Sequence, residues 1–322
     1  MPRTRRAPVP GSTASRNSSG ASAPEPVPCV GRQERSGPAS FLHNRDIFAA
    51  GARMNSESSI RIAIHGASGR MGLEVLKAAN ARSDCAVAAA LVRAASPWVG
   101  EALAGALGAG APDLDFVSTL DPDTPVDAIV DFSTPDALAT PLAMALERRV
   151  ALICGTTGLK QTQIDALKDA AGRIPVLWSA NFSLGIALLK RMAAMAALQL
   201  GPEFEVEILE VHHRHKRDAP SGTALALGRA IADARREAFE DIARFSHFGS
   251  SEPRRRGDIG FAVMRAADVV GEHTVMFASE GERLELTHRA NSRSIFASGA
   301  VRSAVWLANQ PPGWYDITDV LS

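Results

Sequence analysis

The sequence predicts an α/β fold with a doubly wound parallel sheet, followed by a second, α+β domain with a mixed or antiparallel sheet. Between residues 60 and 178, short apolar runs alternate with segments of helical length, which is the order of a parallel sheet with crossover helices. Between residues 205 and 287, four strand-like runs follow one another with a single helix among them. A chain of 322 residues, 46% of them hydrophobic, is long enough for two such cores.

The first predicted domain alternates strands and helices. A β-branched run leads into a glycine-rich loop and then into a helical pattern. Its predicted strands are Ile60–His65, Ala86–Val92, Ala128–Asp131, Ala151–Cys154 and Val176–Trp178, and its later helices are Ala137–Glu147 and Gln161–Ala171. Residues 96–124 are rich in Gly, Ala, Pro and Asp, which predicts a long connection with little regular structure.

The second predicted domain opens with a long apolar helix. Its helices are Leu184–Leu200 and Thr223–Ala238, and its strands are Glu205–Val211, Gly260–Arg265, Glu272–Ala278 and Arg283–Thr287. A last helix, Phe296–Ala308, stops before Pro311 and is expected to return to the first domain.

Residues 1–58 have the composition of a disordered segment, because they are rich in Pro, Ser, Gly, Arg and Ala and lack a sustained apolar period. Arginines near the N terminus are compatible with a transit peptide, but four acidic residues argue against one. Met54 lies a few residues before the first strand. We therefore favour a translation start near Met54 over a true flexible tail, and N-terminal sequencing of the native protein would distinguish the two.

Composition points to a small-molecule partner. The formal net charge is zero, so nothing global indicates binding to nucleic acid or to a membrane surface. The three cysteines are widely spaced and form no CxxC pair, which argues against a disulfide framework and fits a cytoplasmic protein. The sequence contains no run of 18 or more apolar residues, so we expect no membrane span.

The loop from Gly66 to Gly72 has the spacing GxxGxxG between a strand and a helix, where a dinucleotide pyrophosphate rests on helix N–H groups in Rossmann-like sheets. An ordinary tight turn remains the alternative. Arg70 favours the phosphate interpretation. The second strand ends at Val92 and Arg93, without the acidic residue that would bind the adenosine ribose of NADH. NADPH is therefore at least as well favoured as NADH. The alternative is that Arg93 is only a solvated charge in a loop.

Three polar or glycine-rich segments follow successive strands of the predicted parallel sheet. They are residues 131–135, 155–158 and 179–183. Each alone is compatible with plain turn chemistry. Because ligands bind beyond the carboxyl ends of such strands, their shared position predicts a common cleft.

The stretch EVHHRHKRDAPSGTA, residues 210–224, combines proton-transferring side chains with a helix start. Histidine and lysine can be tuned to titrate near neutral pH, and the amides after Ser221 can bind a carboxylate. Side chains alternate along the strand, so His212 and His213 cannot both face one cleft if the strand persists that far. The stretch therefore predicts a site that holds and protonates a small acid.

Two other interpretations of this stretch are weaker. A zinc site would draw on His212, His213, His215 and Asp218, but the neighbouring basic side chains would repel a cation, so no metal is expected. A nucleic-acid patch would need aromatic residues for base stacking, and none lies nearby in the sequence.

With these motifs in view, the chain from Ile60 onward resembles the 4-hydroxy-tetrahydrodipicolinate (dihydrodipicolinate) reductases of the diaminopimelate route to lysine. The motifs that carry the resemblance occur in the family's order: IAIHGASGRMG, VDFSTP, CGTTG, ANFSLG, EVHHRHKRDAPSGTA, GDIGFAVMRAADVVGEHTVMF and NSRSIFASGAVRSA. The resemblance implies an NADH- or NADPH-dependent oxidoreductase, a dicarboxylate substrate and a homotetramer. It leaves residues 1–58 unmatched.

The resemblance also implies roles for individual residues. His212 would be the proton donor and acceptor, and Lys216 the cation beside the substrate. The substrate would be held by His213, Ser221, Gly222 and Thr223. The cofactor would contact Gly66, Ala67, Ser68, Gly69, Arg70, Met71 and Gly72 at its pyrophosphate, and Gly155, Thr156, Thr157, Ala180, Asn181 and Phe182 at its nicotinamide. Arg293 would help to close the two domains over the ligands, while Val92 replaces the family's acid.

These roles divide the chain into a dinucleotide-binding domain at residues 59–182, a substrate-binding and oligomerisation domain at 183–293, and a C-terminal helical segment at 294–322. Another two-domain NAD(P)-dependent dehydrogenase of amino-acid metabolism is the alternative enzyme, although it has no need for residues 212–223. A dinucleotide-binding sensor without catalysis is the alternative from a different class. Oxidation of NAD(P)H in a coupled assay distinguishes the enzyme from the sensor.

Overall fold

The computed structural model describes residues 59–246 and 253–321, so the predicted disorder of residues 1–58 lies outside the described residues. The described chain forms two sheets, one of seven strands and one of five. Helices cover both faces of the first sheet and one face of the second. The predicted fold class is confirmed.

The first sheet is parallel throughout, and its strand order is β12-β6-β5-β4-β1-β2-β3. Its strands are β1 (Ile60–His65), β2 (Cys85–Leu91), β3 (Phe116–Val117), β4 (Ala128–Asp131), β5 (Ala151–Cys154), β6 (Pro175–Trp178) and β12 (Gly313–Tyr315). The central strands are apolar and buried along nearly their whole length, as expected for a sheet covered on both faces.

Five helices pack on the first sheet: α1 (Arg70–Asn80), α2 (Leu103–Leu107), α3 (Ala139–Arg148), α4 (Gln161–Ala170) and α8 (Ser294–Leu307). Although α8 comes after the whole second sheet, it packs against α1 and against β4, β5 and β6. Its apolar face is fully buried there, with Ala297, Ala300, Val301 and Ala304 in the core.

The second sheet is mixed and has the order β11-β10-β7-β9-β8. Its strands are β7 (Glu205–His212), β8 (Ala243–Arg244), β9 (Ile259–Arg265), β10 (Gly271–Ser279) and β11 (Glu282–Ala290). β7 pairs parallel to β9 and antiparallel to β10. α5 (Leu184–Leu200) and α6 (Gly222–Arg235) share an apolar core with one face of the sheet, and α7 (Phe239–Ile242) adds to it.

Strand β7 positions the central stretch of the sequence. Burial alternates along it, so that Val206, Ile208, Glu210 and His212 are all buried on the helix-covered face. The first two belong to the apolar core of the second sheet. The last two continue the same row beyond that core, where two ionisable side chains replace apolar ones.

Candidate active site

A cavity of about 870 Å³ lies where the carboxyl ends of the first sheet meet the end of β7 and the start of α6. Thirteen of the residues predicted for the site line it: Arg70, Met71, Gly155, Thr157, Ala180, Asn181, His212, His213, Lys216, Ser221, Gly222, Thr223 and Arg293. The three predicted segments behind the strands therefore share one cleft, and the histidine-rich stretch faces it.

Both His212 and His213 line this cavity, which the alternation of a continuing strand would forbid. The reason is that β7 ends at His212. His213 lies in the following turn, where its carbonyl oxygen accepts a hydrogen bond from the Lys216 amide at 3.1 Å.

The glycine loop forms a tight turn at the start of α1. Gly66 has a φ of +78°, a conformation that favours glycine, and a Cβ at Gly72 would lie 2.2 Å from the Gly66 carbonyl oxygen. Arg70 and Met71 reach the cavity wall, whereas Gly66–Gly69 and Gly72 build the turn without belonging to the wall as the structure describes it. The first turn of α1 has no acidic residue, so its free N–H groups suit a phosphate.

The loop after β5 combines residues that line the cavity with residues that support it. A Cβ at Gly155 would lie 2.3 Å from the Phe132 ring, so glycine lets that ring approach the backbone. Thr156 is buried and bonds the neighbouring loop: its hydroxyl donates to Asp131 Oδ2 at 2.7 Å and accepts from the Ser133 amide at 3.1 Å. Phe182 is also buried, with its ring centroid 5.6 Å from that of Phe132.

Sequence reasoning missed the partners of Asp131. This carboxylate is fully buried at the end of β4 and also contacts His65 Nδ1, at 2.7 Å, at the end of β1. The residue pair joins the end of β1, where the glycine loop begins, to the end of β4. Only the position of Asp131 at a strand end pointed to it in the sequence.

His212 is held from the side opposite the cavity. Its Nδ1 is hydrogen-bonded to Glu210 Oε2, and only 8% of the residue is exposed. Because Nδ1 is engaged, Nε2 is the ring nitrogen left to exchange a proton. A Cβ at position 271 would lie 3.0 Å from Nε2, so Gly271 keeps the space beside this nitrogen open. Burial lowers the pKa of His212, and Lys216 and Arg265 add to that effect while Glu210 opposes it.

A second buried histidine, His273 on β10, was not predicted for the site. Its ring lies edge-on to His212 with centroids 5.1 Å apart, and its Nε2 is 3.1 Å from the Ser221 hydroxyl. Burial lowers the pKa of His273 to about 3, with smaller contributions from His212, His288 and Lys216, so the ring is neutral at physiological pH.

The start of α6 is a capped helix N terminus that faces the cavity. Ser221 is the N-cap, and its hydroxyl accepts a hydrogen bond from the Ala224 amide at 3.1 Å. The first turn of the helix is uncharged, so the positive end of the helix dipole attracts an anion. Lys216 lies in the turn before it, with Nζ 2.9 Å from Asp218 Oδ2.

One hydrogen bond joins the two halves of the cavity. Asn181 Nδ2, in the loop after β6, donates to Thr223 Oγ1 on α6 at 3.1 Å. Arg293, exposed at the N-cap of α8, lines the same cavity. Arg93, in contrast, is exposed beyond β2 and is outside the cavity wall as described, next to the buried Val92.

The described residues contain one group of ligand atoms close enough for a metal ion: Glu210, His212 and His273, within 4.8 Å of one another. This group differs from the zinc candidate considered from the sequence. The oxygens of Glu210 already accept hydrogen bonds from His212, Ser221 and Arg265, and the Arg265 guanidinium lies 3.0 Å away. A cation would meet a positive charge where it needs a free carboxylate, so the donor set does not suit a metal.

Family models match nearly all of the described chain. A model described as "Dihydrodipicolinate reductase, N-terminus" matches residues 60–182, and one described as "Dihydrodipicolinate reductase, C-terminus" matches residues 185–321. The junction between them falls between the loop that contains Asn181 and the start of α5.

Curated relatives and solved structures agree with these matches. The chain is 44% identical over 262 residues to 4-hydroxy-tetrahydrodipicolinate reductase from Pseudoalteromonas atlantica, covering 81% of this chain and 98% of the relative. It is 42% identical over 261 residues to the Pseudoalteromonas translucida protein of the same name, covering 81% and 97%. Its fold is similar to that of dipicolinate-bound dihydrodipicolinate reductase from Paenisporosarcina sp. TG-14, with a TM-score of 0.64, 24% identity and coverage of 80% and 98%.

Proposed function

The chain belongs to the dihydrodipicolinate reductase family, an NAD(P)H-dependent oxidoreductase family of lysine biosynthesis, and we propose from this premise that it reduces 4-hydroxy-tetrahydrodipicolinate to tetrahydrodipicolinate. The observation that carries the proposal is the placement of His212, whose Nε2 is free beside a cavity that the glycine loop and the start of α6 also reach. The cofactor is NADH or NADPH.

The cofactor-binding role falls to the first sheet. When bound, the reduced nicotinamide would supply a hydride to the conjugated ring imine that forms once the 4-hydroxyl group of the substrate has left as water. The N–H groups at the start of α1 would hold the pyrophosphate, with Arg70 beside it. Gly155, Thr157, Ala180 and Asn181 would line the nicotinamide side, and the buried Thr156 and Phe182 would support them from behind.

His212 is proposed to protonate the substrate after hydride addition. Negative charge develops at the ring carbon that must take up a proton, so a general acid tuned near neutral pH is needed beside it. The lowered pKa of His212 keeps the free enzyme's imidazole largely neutral, and a bound dianion would favour its protonation.

The two substrate carboxylates need positive charge or N–H donors. Lys216 supplies an ammonium group with a side chain only 21% exposed, and the start of α6 supplies amides of Gly222 and Thr223. His213 completes this side of the cavity. Arg293 is placed to reach ligands from the N-cap of α8, which is compatible with a role in domain closure.

Turnover of His212→Ala tests the proposal. We expect kcat to fall by about 10² to 10⁴ while the affinity for substrate changes little, since a lost general acid acts on the rate. Lys216→Ala is expected to weaken substrate binding as well. His215→Ala, an exposed histidine of the same stretch, is the matched control. Unchanged turnover in His212→Ala would remove His212 from this role, and cofactor binding without oxidation by the wild type would favour the sensor.

The assembly and location are also proposals. We infer a cytoplasmic homotetramer whose second sheet takes part in subunit contacts, since Val263, Met264 and Leu284 on its strands are exposed in the single chain. Light scattering should give four times the 34.0 kDa chain mass, and a monomer mass would contradict the assembly.

The stretch Leu184–Glu203 is long and apolar enough to cross a membrane by length and composition, but Ile186, Leu189 and Ala193 pack in the core of the second sheet.

The domain limits follow from the same roles. We propose a cofactor-binding domain at residues 59–182, a substrate-binding domain at 183–293 and a C-terminal segment at 294–322 that rejoins the first sheet. The packing of α8 against α1 supports the last of these limits.

A further inference from the structure

We propose that Glu210 is a positioning residue for the reduction, because one buried carboxylate holds both the proton-donating imidazole and the helix start that receives the substrate. The inference rests on the role of His212 proposed above. Glu210 does not line the cavity as described; it acts through the groups that do.

The carboxylate of Glu210 is enclosed by three donors. It is fully buried, and its Oε2 accepts a hydrogen bond from His212 Nδ1 on the same strand and the same face. Its Oε1 accepts from the Ser221 amide at 3.1 Å and from Arg265 Nη2, on the neighbouring β9, at 3.0 Å. An ionised carboxylate is an acceptor only, so it satisfies all three donors at once.

The first consequence concerns the tautomer of His212. A carboxylate on Nδ1 keeps the proton of the neutral ring on that nitrogen and leaves Nε2 as the atom that takes up and delivers the catalytic proton. Gly271 on β10 keeps the space beside Nε2 open. The ring cannot rotate to exchange its nitrogens without leaving Glu210 buried and short of a donor.

The second consequence concerns the charge of His212. Glu210 favours the imidazolium, whereas burial, Lys216 and Arg265 disfavour it. The other group that faces the ring is His273 on β10, which is neutral at physiological pH. Glu210 is thus the one anion among the groups that set the His212 pKa, and its removal should lower that pKa.

The third consequence concerns the start of α6, which is proposed to bind a substrate carboxylate. The Ser221 amide belongs to the N-cap of α6, so Oε1 ties the first turn of that helix to the strand that bears His212. A substrate whose carboxylate sits on α6 would therefore meet the imidazole at a fixed offset. Residues Glu210 and Ser221 are eleven positions apart, and the intervening loop alone would not fix that offset.

The test is Glu210→Gln in the full chain, compared with wild type over a range of pH. The side-chain amide keeps the size of glutamate but has only one acceptor oxygen, which suits the two donors Ser221 and Arg265. Its NH₂ group then faces His212 Nδ1 and makes that nitrogen an acceptor. We expect kcat to fall by about 10²-fold with little change in the affinity for NADPH. The limb on which the rate falls with rising pH should move to lower pH, because protonated His212 is the acid. Labelled-histidine NMR should show the proton of His212 leaving Nδ1.

Glu207→Gln is the matched control, since it removes a carboxylate from the opposite face of β7 that is paired with Arg254 Nε at 3.0 Å. It should leave the pH profile unchanged. Arg265→Gln gives a second test that does not depend on the stability of Glu210→Gln: with one opposing positive charge removed, the same limb should move to higher pH.

The outcomes separate the two proposals. If His212→Ala is inactive but Glu210→Gln keeps the wild-type rate and pH profile, the positioning role of Glu210 is wrong and the role of His212 stands. If His212→Ala is fully active, the role of His212 fails first, and the inference about Glu210 fails with it. A lower rate in Glu210→Gln with an unmoved pH limb and an unchanged His212 tautomer would show a merely structural effect and would overturn the inference.

Discussion

Gly299 on α8 provides a quantitative test of how tightly the last helix is joined to the cofactor side of the cavity. A Cβ at this position would lie 1.8 Å from the carbonyl oxygen of Phe182, a backbone atom that no side-chain rotation can move. The helix cannot retreat freely, because Ala297, Ala300 and Val301 are fully buried against the first sheet. Gly299→Ala must therefore displace either α8 or the loop that ends at Phe182.

In Gly299→Ala, overpacking lowers the free energy of unfolding, while the better helix propensity of alanine raises it. Overpacking of this kind costs about 3 kcal/mol, and replacing glycine by alanine within a helix returns about 1 kcal/mol. A net loss of about 2 kcal/mol corresponds to a fall in Tm of about 3 to 4 °C, because the unfolding entropy is about 2 cal/mol/K per residue. Because Asn181 precedes Phe182 and lines the cavity, the variant should also bind NADPH more weakly.

Thermal unfolding and fluorescence titration with NADPH measure both effects. Gly105→Ala is the control: it is an exposed helical glycine of α2 around which a Cβ would find open space, so its Tm should stay the same or rise. A Gly299→Ala variant with the wild-type Tm and the wild-type affinity for NADPH would refute the argument that the helix and the loop are locked together.

Two further predictions concern charge. The pKa of His273 is about 3 in the folded chain and about 6.5 in the unfolded chain. Protonation therefore favours the unfolded chain as the pH falls below 6.5. Lowering the pH from 7 to 5 should reduce the free energy of unfolding by about 2 kcal/mol. Urea titrations at the two pH values should show this loss reduced in His273→Gln but not in His215→Gln; equal losses in both would contradict it. Arg93→Ser should raise the KM for NADPH by about 10-fold or more, as expected when a hydrogen bond to a charged group is lost. The KM for NADH should stay nearly unchanged. Equal changes in the two KM values would show that Arg93 does not contact the 2′-phosphate.

The sequence was sufficient to predict those elements of the fold whose own residues show a clear hydrophobic pattern or spacing. Buried strands such as Ala151–Cys154 are continuous apolar runs, and the glycine loop after β1 has a recognisable spacing. The segment 96–124, predicted as an irregular connection, contains α2 and the two-residue strand Phe116–Val117. A strand of two residues has no period to detect, and it is defined only by its pairing with β2.

The site follows the same division. His212 and the capped start of α6 could be predicted because their neighbours in the sequence carry the signal. The role of Glu210 depends on Arg265, 55 positions away, and His273 enters through the pairing of β10 with β7. The alternation of β7 did place Glu210 on the face of His212, so a local signal existed, but its meaning required the long-range partners.

The late position of α8 and β12 in the chain has a consequence for biosynthesis. The first sheet is interrupted after β6 and is completed only when α8 covers its core and β12 pairs with β6. At 5 to 20 residues per second, the ribosome needs on the order of ten seconds to make the intervening second sheet, during which the edge of β6 and the apolar surface awaiting α8 stay open. A fragment that stops at Phe182 would keep that surface exposed permanently. Isolation of the cofactor-binding half therefore calls for a chain in which residues 294–317 are joined directly behind it.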